Sequence, residues 1–211
     1  VNNLMQARLE QTVIPTPHGP VVVQGPVEST YLQTLVINSR LDNFRAPERQ
    51  HQALLTIADF YEGMVFVARY KKEIVGYLTF HYPNEHSRWR AHSRILELGS
   101  IEVSRDWRKL GIGKALLAEA CASGRLEDYL TITTEYCWHW DLKGCELDMW
   151  AYQRMLTAFF GQFGFVRRHT DDPEICEHPA NVLMVRLGSR VSKEDISRFE
   201  SMCFQKALVR F

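Results

Sequence analysis

Val103-Ser-Arg-Asp-Trp-Arg-Lys-Leu-Gly-Ile-Gly113, continuing into Lys114-Ala-Leu-Leu-Ala118, reads as the end of a strand, a tight basic turn and the start of a helix. Its centre is Arg108-Lys-Leu-Gly-Ile-Gly113, an Arg-x-x-Gly-x-Gly pattern. Glycines let a backbone approach a ligand closely and take dihedrals that other residues avoid. A helix start aims unpaired N–H groups and a positive dipole end outward. Together these make an anion cradle, suited to a phosphate or pyrophosphate. Two nucleotide motifs fail on particular residues. A P-loop needs Gly-x-x-x-x-Gly-Lys-Ser/Thr, but Gly113-Lys114 is followed by Ala115 and the first glycine is wrongly spaced. A dinucleotide fingerprint needs a third glycine three residues on, where Leu116 stands.

Outward from this turn, Ile95–Val103 is the strand that feeds it, and Gly111 to about Ser123 is helical, with Ile112, Leu116 and Ala120 at four-residue spacing. Upstream, residues 63–69 and 74–82 are apolar strands around the polar turn Lys71-Lys72-Glu73, a hairpin signal. Pro47 opens a helix to about Phe60, Glu28 to Arg40 is read as another helix, and Val21–Gln24 is a short strand. Downstream, residues 129–135 form a strand, 136–145 a Trp/His-rich loop and 147–163 a helix. Strands follow at about 165–169 and 181–187, and Ser192-x-x-Asp195 caps a C-terminal helix. The order predicts an α/β fold with a mixed sheet flanked by helices. Residues 1–19 are expected to form an arm or short helix, 20–190 the domain, and 191–211 a helix packed on it.

The turn motif and the order of elements resemble the GCN5-related N-acetyltransferases, the GNAT superfamily. That resemblance implies the acyl-CoA N-acyltransferase fold, with a mostly antiparallel sheet, helical extensions at both ends, and acetyl-CoA as co-substrate. A narrower likeness rests on Glu97–Val103, Thr133–Gly144 and Asp171–Asn181, with Glu62–Arg69 and Ile74–Tyr77 beside them. These stretches look like the acetoin-utilisation acetyltransferases of bacilli, from about residue 19 to the C-terminus. The implied activity is acetyl transfer to an active-site lysine of acetyl-CoA synthetase, which inactivates the synthetase until a deacetylase restores it. Two other functions stay open: a GNAT acting on a small amine, and a non-catalytic acetyl-CoA-binding regulator.

Composition fits this reading. The 211 residues suit one domain with additions, and 45% apolar content can build a substantial core. Lys plus Arg equals Asp plus Glu at 25 each with no long basic run, which argues against nucleic acid and anionic membranes. The apolar runs are far shorter than a membrane span. No secretory leader is expected, because Glu10, Pro15, Pro17 and His18 interrupt the first twenty residues. Five irregularly spaced cysteines (121, 137, 145, 176 and 203) suit reduced thiols and a cytoplasmic location. Cys137-Trp-His139 and Cys176-Glu-His178 are spaced too tightly for the usual zinc patterns, so no metal is expected. A homo-oligomer stays open.

Acyl transfer to an amine needs a base, since a free lysine, with a pKa of about 10.4, is protonated at neutral pH. Glu97 is the first candidate. It stands eleven residues before Arg108, the spacing at which the histone-acetyltransferase branch carries its glutamate, and its neighbours Leu96 and Leu98 would desolvate it. Glu102 follows: strict alternation puts it on the opposite face, but a bulge in this strand would reset the parity. Glu135 is third. The resemblance further implies that Ile101 and Val103 offer backbone groups to the pantetheine arm. It places the N–H groups of Lys109, Leu110, Gly111, Ile112, Gly113 and Lys114 around the pyrophosphate, with Arg108 and Lys109 adding charge. Many GNAT enzymes carry a tyrosine four residues before the Gly-Phe that ends the penultimate helix; here that position is Phe160. Tyr152 and Tyr136 are the alternative proton donors. The aromatic loop Trp138-His139-Trp140 suggests docking of a protein acceptor.

Overall fold

The computed structural model describes residues 11–205. In chain order the elements are β1 (Thr12–Ile14), β2 (Val21–Gln24), α1 (Ser29–Leu32), β3 (Val36–Ile37), α2 (Pro47–Ala58), β4 (Met64–Tyr70), β5 (Glu73–His81) and β6 (Ile95–Val103). Then come α3 (Ile112–Ala122), β7 (Leu130–Glu135), α4 (Leu142–Cys145), α5 (Met149–Gly161), β8 (Val166–Arg168), α6 (Pro173–Cys176), β9 (Val182–Leu187) and α7 (Lys193–Met202). The strands form one sheet in the order β1-β2-β4-β5-β6-β7-β9-β8, with β3 beside β5 off that path. Only β6–β7 and β3–β5 are parallel. This is the mixed sheet flanked by helices that the element order predicts, mostly antiparallel as the family resemblance implies.

Helices cover both faces, so β4 and β5 read as continuous apolar runs rather than alternating ones. On one face Leu116, Leu117 and Ala120 of α3 and Phe160 of α5 pack on Phe66, Leu78, Phe80, Leu96 and Leu98. On the other, Leu54 of α2 meets Val65, Val67, Ile74 and Tyr77, and Phe199 and Met202 of α7 meet Ile95, Leu130, Ile132, Leu183 and Val185. Each such side chain, fully buried, contributes about 1.5–3 kcal/mol. Helix starts follow local chemistry. Pro47 takes the first position of α2, Asp148 accepts from the Ala151 N–H at the head of α5, and Ser192 accepts from the Asp195 N–H at the head of α7.

Two segments depart from the sequence reading. The helix expected over 28–40 shrinks to α1. Val36 and Ile37 leave it to pair with Glu73 and Ile74, where β-branched side chains suit a strand. The described part of the N-terminal arm is not helical: Thr12–Ile14 adds an antiparallel strand to β2. Residues 1–10 of the arm and 206–211 of the C-terminal extension lie outside the described residues.

Candidate active site

The site begins where the sheet divides. β6 and β7 pair from Ile95↔Leu130 to Glu97↔Ile132; beyond that, β6 continues to Val103 and β7 to Glu135 without meeting. A cleft of about 870 Å³ opens between them, bounded also by the turn into α3 and by Tyr152, Met155, Leu156, Phe159 and Phe160 of α5. Those α5 positions fall on one helical face. The Ser104 N–H donates to the Val75 carbonyl at 2.9 Å, and pairing runs without a shift from Gly76↔Val103 to Thr79↔Ser100. Antiparallel alternation therefore aims the backbone groups of Ser100 and Glu102 at β5, and those of Ile101 and Val103 into the gap. One of the latter is already used: the Val103 carbonyl accepts from Arg108 Nε at 3.2 Å.

The turn has the backbone its glycines suggest. Lys109 (φ 62°) and Gly111 (φ 80°) are both left-handed. A Cβ on Gly111 would meet nothing within 4 Å, so glycine is required there by conformation and not by space. Gly113, inside α3, has no such φ, and its Cβ would meet only Val103 and Phe159 at ordinary distances. Its bare backbone keeps the helix start open to a ligand. The first intrahelical bond runs from the Ala115 N–H to the Gly111 carbonyl, leaving Ile112, Gly113 and Lys114 with N–H groups that have no intrahelical partner. Lys109 and Lys114 are exposed and Leu110 packs on the core edge. The Arg108 guanidinium, by contrast, is bound within the chain, with Nη1 2.7 Å from the Asp141 carboxylate.

The three predicted carboxylates take different positions. In β6, Thr79↔Ser100 is followed by Phe80↔Leu98, so Gly99 is an extra residue. This bulge resets parity and turns Glu97 and Glu102, opposite His81 and Tyr77, to the same face. Glu102 is buried and borders the cleft. One of its oxygens accepts from the Tyr77 hydroxyl at 2.6 Å and the other from the Asn43 N–H at 3.0 Å. Burial pushes its pKa above the usual carboxylate value, and these two hydrogen bonds pull it partly back. Glu135 borders the cleft from the other face of the sheet, where it pairs with Val182. Burial raises its pKa too, against a hydrogen bond from Thr133. Glu97 does not border the cleft. It accepts from the Thr134 hydroxyl at 3.0 Å, and burial raises its pKa despite nearby His81.

Asn43 and Phe44 were hidden in a segment with no recognisable motif. The Asn43 side chain donates to the His139 carbonyl at 3.0 Å, and the Phe44 and His139 rings lie 6.1 Å apart. With Tyr136 stacked on Trp138 at 4.9 Å, they form an aromatic rim beside Glu102. Phe44 is 37% exposed and Trp138 51%.

Residues 34–139 match the acetyltransferase (GNAT) family. This chain belongs to the GNAT family. The acetoin utilization protein AcuA of Bacillus licheniformis is 42% identical over 191 residues, covering 90% of this chain and 91% of that one. AcuA of Bacillus subtilis strain 168 is 41% identical over 193 residues, covering 90% and 92%. The crystal structure of an acetoin utilization protein from Exiguobacterium sibiricum 255-15 has a TM-score of 0.92 at 40% identity, covering 97% of this chain and 98% of that one. As a GNAT protein it is an acetyl-CoA-dependent acetyltransferase.

In this GNAT site the helix position expected to hold tyrosine is fully buried. Phe160 packs on Phe159 and Phe165, with ring centres 5.1 and 5.6 Å away. Of the two alternative phenols, Tyr136 borders the cleft and donates its hydroxyl proton to Glu174 at 2.8 Å. Tyr152 borders the cleft with its ring stacked on Trp140 at 5.2 Å. Burial pushes its pKa up to about 12, so it carries its proton at neutral pH. Among the described residues, no three His, Cys, Asp or Glu side chains converge as a metal site would need. No described helix is long and apolar enough to cross a membrane.

Proposed function

We propose that this GNAT enzyme acetylates a lysine of acetyl-CoA synthetase in the cytoplasm, with Glu102 as the general base. The observation that carries the reading is the position of Glu102: a buried carboxylate, fixed by two donors, on the unpaired stretch of β6 that lines the cleft, beside Asn43 and the aromatic rim. The N–H groups of Lys109 to Lys114 surround the pyrophosphate of acetyl-CoA, and the backbone groups of Ile101 and Val103 pair with the pantetheine amides as a strand would. The thioester then lies in the gap just beyond Ile101. The acceptor lysine enters past Phe44 and Trp138 and gives its proton to Glu102, directly or through a water. Its nitrogen forms a bond to the thioester carbonyl carbon, the carbon–sulfur bond breaks, and CoA leaves as a thiolate. Tyr152, a neutral phenol on the cleft wall, protonates it. Glu135 and Glu97 support the site electrostatically. A protein acceptor suits the exposed aromatic rim, since aromatic anchors concentrate binding energy at protein interfaces. The likeness to acetoin utilization proteins supports a role in acetoin metabolism; the synthetase as acceptor is proposed from the family resemblance of the sequence.

The test is mass spectrometry of purified acetyl-CoA synthetase after incubation with the enzyme and acetyl-CoA. One acetyl-lysine accompanied by loss of synthetase activity is expected. Its absence, while acetyl-CoA binds, would overturn the acceptor. Glu102→Gln should lower the transfer rate by about 10²–10⁴ and leave acetyl-CoA affinity nearly unchanged. Retained transfer in that variant would remove Glu102 as the base.

A further inference from the structure

Asp141 lies at the join between the two halves of the cleft. One carboxylate oxygen takes Arg108 Nη1 at 2.7 Å, and Arg105 Nε lies 3.5 Å from the same oxygen. The other oxygen accepts from the Gly144 N–H at 3.0 Å and starts α4. A Cβ on Gly144 would fall within 2.2–2.7 Å of this carboxylate, so the chain is built to close around it. Arg108 is equally occupied, with the Val103 carbonyl at 3.2 Å and the Cys145 sulfur at 3.8 Å. Asp141 directly follows Trp140, whose ring stacks on Tyr152 in the cleft wall. Two residues earlier, the His139 carbonyl is held by Asn43 on the acceptor side.

We propose that Asp141 is a positioning residue that ties the acceptor loop, residues 136–147, to the cofactor turn, and that Arg108 acts as the tether's other end rather than as a ligand of the cofactor's phosphates. The inference rests on the functional reading above. Phosphate binding is left to the backbone of the turn and the exposed Lys109 and Lys114, and the Arg108–Asp141 pair sets the position of Trp140 and the aromatic rim.

Arg108→Gln, Asp141→Asn and the double variant separate the two roles of Arg108. If it is a tether, each single variant raises the KM for purified acetyl-CoA synthetase by about tenfold, a cost of about 1.4 kcal/mol. The acetyl-CoA Kd, by calorimetry, then stays within about threefold. The double variant is no worse than either single one, because both remove the same pair. If Arg108 binds phosphate, Arg108→Gln loses about tenfold or more in acetyl-CoA affinity while Asp141→Asn gains affinity, and the proposal fails. It fails also if neither constant moves. Should Asp141→Asn not fold, Arg108→Gln alone decides between these outcomes. Should the wild type leave the synthetase unmodified, the acceptor assignment falls, and the acetyl-CoA Kd of Arg108→Gln still settles whether that arginine binds phosphate.

Discussion

Tyr77 and Glu102 meet in the core beside the cleft, and their contact makes the proposed base's pH dependence testable at a single atom. Tyr77 is fully buried, and its hydroxyl can only donate to Glu102, since burial and the carboxylate both push its own pKa far up. The hydrogen bond holds the Glu102 pKa below where burial alone would put it. Asp42 raises that pKa further and Arg108 lowers it; both remain in a Tyr77 variant. The proposed base, Glu102, works as a carboxylate, so under that proposal activity rises with pH through its pKa. Removing a bond that favours the charged form must move the acid limb upward. A hydrogen bond to a charged group is worth about 1.5–3 kcal/mol and a pKa unit about 1.4 kcal/mol. In Tyr77→Phe the acid limb of kcat/KM should therefore shift up by about one to two units, with wild-type rates approached at higher pH. An unmoved limb would show that Glu102 does not govern it.

At the scale of elements, the turn before α3 was legible because its chemistry is local. Gly111 and Gly113 nevertheless do different things. Gly111→Ala places a side chain at φ 80° and should cost about 1–2 kcal/mol. Gly113→Ala, at a helical position with room for a Cβ, should hold or gain stability. Chemical denaturation of the two variants checks this, and equal losses would contradict it. The strands and long helices were readable for the same reason, from periodicity and helix starts such as Ser192 and Pro47. What was not readable depends on register. Eleven residues of spacing pick out Glu97, but one extra residue at Gly99 decides that Glu97 and Glu102 share a face, and the end of β6–β7 pairing decides which of them reaches the cleft. Val36 and Ile37 look like the continuation of a helix until β5 offers an edge to pair with. Asn43 lies in no motif, and Tyr77 and Asp141 lie in stretches of family likeness that give them no role; they matter through partners between 25 and 96 positions away.

The whole molecule is two half-sheets joined along a short seam. From β1 to β6 the pairing is unbroken on one side, and β7, β9 and β8 form the other. Only three residue pairs, Ile95↔Leu130 to Glu97↔Ile132, join β6 to β7. Packing of α3 and α5 across one face and of α7 across the other keeps the halves in place. The gap opens beyond this seam, and a substrate lying in it with its amides against β6 would act as a splint. Acetyl-CoA should then slow amide hydrogen exchange at Ile101 and Val103 and leave Ser100 and Glu102, already bonded to β5, almost unchanged. Uniform protection along the strand would mean that binding stiffens the protein generally. The alternating pattern would mean that a metabolite serves, for the length of one turnover, as the strand this sheet was folded without.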